Sequence, residues 1–140
     1  AAAMSNQFEI ESSRLALKNS RNEAVREFAQ RMIGDHTRAT DELRKILPSS
    51  RVQATRMPDS LDARHRGQME KLRAAGSGAA FDRAYIQAQE QAHQEAVTLF
   101  RNYATTGEDG ALQEFAQRTL PTLEAHAEHL KEVRQEMAAR

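Results

Sequence analysis

Apolar residues recur every three or four positions along nearly the whole chain, the spacing of an amphipathic α-helix at about 3.6 residues per turn. One stripe runs through Val25, Phe28, Met32, Ala39, Leu43 and Ile46, and another through Leu112, Phe115, Thr119, Leu123, Leu130, Val133 and Met137. A wider stripe extends from Phe81, Ala88 and Leu99 to Ile86, Val97 and Phe100, and a short one joins Met4, Phe8 and Leu15. Where the period fails, helix-breaking residues take over. Two prolines bracket the polar stretch from Pro48-Ser49-Ser50 to Met57-Pro58-Asp59-Ser60, where Asp59 or Ser60 can cap a new helix. Gly76-Ser77-Gly78 forms a second break with Ser77 as a natural N-cap, and Leu61, His65, Met69 and Leu72 keep helical spacing between the two. Ser20 or Asn22 can cap after a first tight turn, and Thr105 to Gly110 makes another turn late in the chain.

These signals predict helices over about 4–19, 22–47, 60–75, 79–104 and 109–138, within one domain spanning 1–140. Two helical hairpins joined by a long crossover that contains a short helix describe an all-α, ferritin-like four-helix bundle. A plain up-and-down bundle or a dimer of hairpins is the alternative. Glu27-Phe28-Ala29-Gln30-Arg31 returns as Glu114-Phe115-Ala116-Gln117-Arg118, one turn after each hairpin loop. A duplicated hairpin explains this, as does chance in an Ala- and Gln-rich helix.

Composition narrows the function classes. Lys+Arg 20 balances Asp+Glu 20 with the signs mixed along the helices, the pattern of solvated helix faces and not the basic stripe of a nucleic-acid binder. No apolar run approaches the roughly 20 residues that span a bilayer. The absence of cysteine removes thiolate and disulfide chemistry. The Ala1-Ala2-Ala3 start reads equally as a signal-cleavage product or a cloning remnant.

The histidines carry the candidate chemistry. His36 falls near the centre of the second-helix stripe, His126 lies within the last one, His93 sits on a flank of the wide stripe, and His65 shares the crossover stripe. His129 falls at an edge and faces solvent. On the first helix Glu11 shares the side of Phe8 and Leu15, whereas phase turns Glu9 outward. Counting about 1.5 Å per residue from the turns places Glu11, His36, His93 and His126 within roughly two turns of one level. Several unpaired imidazoles in one small core would cost about 1–3 kcal/mol each, whereas a shared metal or a hydrogen-bond network satisfies them together. Glu11, His36, His65, His93 and His126 are therefore the candidate ligands of a divalent transition metal.

A di-iron site wants Glu-x-x-His on two helices, and this sequence supplies it poorly: Glu90 faces outward from His93, and His36 has no Glu three positions before it. Imidazoles with one carboxylate suit zinc or copper better than iron. Asp35 and Asp62, beside His36 and before His65, read as outer partners of these rings or, more simply, as surface charges. Pro121 should kink the last helix and free the Gln117 carbonyl, either to aim His126 or merely to accommodate packing. No phosphate loop, Ser-His-Asp order or nucleophilic cysteine supports a hydrolase or a nucleotide binder.

Phe8-Glu9-Ile10-Glu11-Ser12-Ser13, Glu27-Phe28-Ala29-Gln30-Arg31-Met32-Ile33 with Asp35-His36-Thr37, Phe81-Asp82-Arg83-Ala84-Tyr85, His93-Gln94-Glu95-Ala96-Val97 and Leu120-Pro121-Thr122-Leu123 with His126 together resemble the bacterial DUF4142 family. The resemblance runs from about Ser5 to Leu130. It implies a ferritin-like helical domain, usually exported, without an established enzymatic activity, and it favours the signal-cleavage reading of the start. The expectation is a periplasmic metal-binding bundle, with zinc or copper as its partner. The alternative is a metal-free structural or partner-binding domain built on a buried histidine network; a redox enzyme comes last.

Overall fold

The computed structural model describes residues 2–46, 61–107 and 110–138, with side chains from residue 6 onward. These residues form five helices and no strand: α1 (Ala2–Asn19), α2 (Glu23–Ile46), α3 (Ala63–Ala74), α4 (Gly78–Thr106) and α5 (Gly110–Ala138). Each lies within three residues of a range expected from periodicity, the usual uncertainty of helix ends.

Local chemistry explains the ends. Asn22 caps α2, its Oδ1 accepting from Val25 N at 3.2 Å, and Ser20 Oγ accepts from Asn22 N at 3.2 Å. α3 begins at Asp62, whose Oδ1 accepts from His65 N at 2.9 Å. Asp59 and Ser60, expected in that role, lie with Pro48 and Pro58 outside the described residues. Ser77 holds the N-cap position of α4 without a side-chain bond, and the glycines on either side take φ of 77° and 74°, a left-handed backbone that side chains resist. Gly107 closes α4, its N–H donating to Tyr103 O at 2.8 Å.

α1 packs along α2, and α4 along α5; α2 also touches α5, α1 touches α4, and α3 lies against α4 and α1. The apolar interior falls into two clusters. One gathers Phe8, Phe28, Met32, Met69, Phe81, Tyr85 and Leu130; the other gathers Leu43, Ala96, Phe100, Phe115, Ala116 and Leu123. Along α2, α4 and α5 a histidine stands at the change from one cluster to the other: His36 after Met32, His93 before Ala96, and His126 between Leu123 and Leu130. The two copies of the repeated pentapeptide show the same burial: Phe28 and Ala29, like Phe115 and Ala116, are buried, while the flanking Glu, Gln and Arg are exposed.

Candidate metal centre

Three helices each contribute one imidazole to the boundary between the clusters. His36 from α2, His93 from α4 and His126 from α5 are all buried. Their ring centroids stand 5.3 Å (His36–His126), 5.5 Å (His93–His126) and 6.2 Å (His36–His93) apart. One ring nitrogen of each lies within 4.8 Å of one from each of the others.

Hydrogen bonds on the outer side orient the three rings. His36 Nδ1 lies 2.7 Å from Asn6 Oδ1, His93 Nδ1 lies 2.8 Å from the Gln89 carbonyl one turn earlier, and His126 Nε2 lies 2.7 Å from Asp35 Oδ2. Amide, carbonyl and carboxylate oxygens only accept, so the nitrogen facing each of them carries the proton. The lone pair of each ring then sits on the other nitrogen. Those nitrogens, His36 Nε2, His93 Nε2 and His126 Nδ1, are the buried ring atoms without a hydrogen-bond partner. This pattern, one ring N–H donated to a protein oxygen and the lone pair of the other nitrogen left free, is the one that metal-bound histidines adopt.

The electrostatics favour neutral rings. Burial holds His36 well below the usual imidazole range, with the neighbouring His126 and His93 rings adding to the effect. His93 falls to about 4, mainly through burial and against the pull of the Gln89 carbonyl. His126 is lowered by burial, and its hydrogen bond to Asp35 opposes the shift. A neutral imidazole is the form that binds a metal.

The first helix departs from expectation. Glu9 is the buried carboxylate, 2% exposed, with one oxygen 3.9 Å from His93 Nδ1, whereas Glu11 is half-buried and lies outside the group of three histidines. The phase assignment that turned Glu11 inward and Glu9 outward is corrected. Apolar periodicity marks Phe8 and Leu15 as the stripe, whereas the face that α1 buries is Asn6, Phe8, Glu9, Ser12, Ser13 and Ala16, mostly small or polar. Met4 of that stripe lies outside the described side chains. Neither Glu9 oxygen has a hydrogen-bond partner, and burial raises its carboxyl well above the ordinary range. Gln89 Nε2 donates to Ser12 Oγ at 3.1 Å, and the Tyr85 and Ser13 hydroxyls pair at 2.7 Å, so a polar layer continues from the histidines into α1.

His65 is not brought to the other three. It is half-buried on α3, with its ring 5.2 Å from Phe8 and its Nδ1 2.7 Å from Asp62 Oδ1, a contact and a cap that hold Asp62 below the usual carboxylate range. His129 is half-buried at the edge, against Phe28 and Arg31 Nη1. Asp35 does serve an imidazole, but that of His126 on the facing helix and not its chain neighbour His36. Asn6 and Gln89 complete the layer without a mark in the apolar periodicity, which does not register buried amides; the spacing of four between Gln89 and His93 is the signal the sequence holds for one of them. Pro121 sits within a continuous α5, on its exposed side.

Residues 1–133 match the model of the family described as "Domain of unknown function (DUF4142)". The chain belongs to the DUF4142 family. No curated protein and no solved structure matches this DUF4142 chain. No described helix is long and apolar enough to cross a membrane.

Proposed function

We propose that this DUF4142 protein binds one divalent transition metal, zinc or copper in preference to iron, through His36, His93 and His126. The observation that carries the reading is the matched set of three buried, unpartnered ring nitrogens, each set free by an outward N–H bond from the other nitrogen of its ring. Leaving them unsatisfied costs about 1–3 kcal/mol apiece, and one cation resolves all three. The all-nitrogen set suits zinc or copper, whereas iron pairs draw on carboxylates. When bound, such an ion supplies Lewis acidity, or a redox couple if it is copper. The protein's own part is to hold the rings in one tautomer through Asn6, Gln89 and Asp35, and to keep a carboxyl, Glu9, beside His93.

We propose for the whole chain a ferritin-like bundle of α1, α2, α4 and α5 with α3 in the crossover. The pairing of α1 with α2 and of α4 with α5, joined through α2–α5 and α1–α4, supports it. An exported location is proposed on the family resemblance alone and is tested by fractionating the cells that make the protein.

Protein purified without chelator, then stripped and titrated with zinc, should take up close to one equivalent; His36→Ala, His93→Ala and His126→Ala should each abolish uptake, and His65→Ala should not. Uptake below a tenth of an equivalent, or full uptake by a triple alanine variant, overturns the reading. The second reading is a metal-free network in which the same three outward bonds hold the rings and water meets the remaining nitrogens. It predicts that replacing His36 and His126 lowers stability with no metal affinity to lose.

A further inference from the structure

A cleft of about 480 Å³ opens between α2 and α5, and its lining includes two of the proposed ligands, His36 and His126. It therefore reaches from solvent to the edge of the buried centre, where Asp35 meets His126. Arg31, Arg38 and Arg118 line it with Asp35 and Glu42, so three guanidinium groups face two carboxylates. Both carboxylates are engaged: Asp35 accepts from His126 and pairs with Arg31 and Arg38, and Glu42 lies 3.9 Å from Arg118. Arg38 and Arg118 keep most of their donors toward solvent, their side chains 74% and 54% exposed. The Thr122 hydroxyl adds a further polar group to the wall.

The centre needs what this cleft can bring. Three neutral imidazoles leave both charges of a divalent ion uncompensated and one position of a tetrahedral shell open. Among the described residues no carboxylate belongs to the group of three: Asp35 meets Nε2 of His126 at 2.7 Å and Glu9 lies 3.9 Å from Nδ1 of His93, in each case the ring nitrogen that carries the proton. Resting on the metal reading above, we propose that the cleft admits a small carboxylate anion to the open metal position, with Arg38 and Arg118 as its charge partners. The planar guanidinium fork matches a carboxylate in shape as well as in charge.

The test uses the full chain loaded with cobalt(II), whose visible bands report the ligands directly, and acetate as the anion, at constant ionic strength in perchlorate. Acetate should shift the bands saturably, and the Arg38→Ala/Arg118→Ala double variant, with cobalt saturating, should need at least tenfold more acetate for half the shift. Bands that form at one equivalent of cobalt but ignore acetate overturn this proposal and leave the metal reading standing. A double variant that titrates like the parent removes the arginines from it. Absence of bands defeats the metal reading and this inference with it. Both substituted residues are exposed, and a circular dichroism melt of the double variant verifies that it folds.

Discussion

Single side chains here depend on where one proton sits. Asp35 accepts the Nε2 proton of His126 and so leaves Nδ1 free. Replacing it with Asn keeps the shape while weakening that bond, and Asp35→Asn should lower zinc affinity by about 10- to 100-fold, the usual effect of losing an outer partner; competition with a chromophoric chelator measures it. The metal-free protein should also respond to pH in two opposed ways. His36, His93 and His126 are depressed on folding, so below the ordinary imidazole value of 6.5 the unfolded chain binds protons that the native state refuses. Their contribution to stability is complete above that value and is lost as pH falls toward about 4, where His93 itself titrates. Glu9 acts in the reverse sense: its carboxyl is raised, so above 4.5 the native state keeps a proton that the unfolded chain has released, and stability declines as pH rises. Urea melts in chelator at pH 5, 7 and 9 should show Glu9→Gln gaining on the parent as pH increases. A constant difference between the two would mean that Glu9 is not held protonated in the core.

At the level of elements, turns and helix faces follow different rules. Gly107 ends α4 so tightly that a Cβ there would lie 2.5 Å from the Tyr103 carbonyl oxygen and 2.6 Å from its ring. Gly107→Ala should therefore cost about 1–3 kcal/mol in chemical denaturation, the penalty of forced overpacking. A Cβ added at Gly67, within α3, would meet no described atom within 4 Å beyond its own helix backbone, and Gly67→Ala should instead stabilise by about 0.5–1 kcal/mol, through helix propensity and a less flexible unfolded chain. The helix faces of α2, α4 and α5 were legible because large apolar residues mark them, and His36 and His126 followed from that phase. α1 was not legible in this way. Its buried face is built largely from Ser12, Ser13 and Ala16, small residues that let the helix approach its neighbours, and no transfer scale distinguishes such a face from a wet one.

For the molecule as a whole, the histidine layer stands between two apolar clusters and ties α2, α4 and α5 together, with α1 attached through Asn6 to His36 and through Ser12 to Gln89. A ligand that binds only the native state stabilises by mass action, about 2.7 kcal/mol at a free concentration one hundred times Kd. Melts with and without zinc should show a gain of that order which His93→Ala abolishes, although the outward bonds of His36 and His126 remain. A gain that persisted in His93→Ala would place the ion elsewhere on the chain.

The sequence by itself determined the five helices and three of the inward histidines, because those properties follow from local periodicity and capping, and its motifs determined the family. Only the tertiary structure decided that Glu9 and not Glu11 is buried, that Asp35 serves His126 across the α2–α5 contact, that Asn6 and Gln89 complete the layer, and that His65 stays with Asp62 and Phe8. The physical reason is common to all of them. A polar side chain is buried where a partner or a neighbouring helix satisfies it, and which helix that is depends on how the elements meet in space.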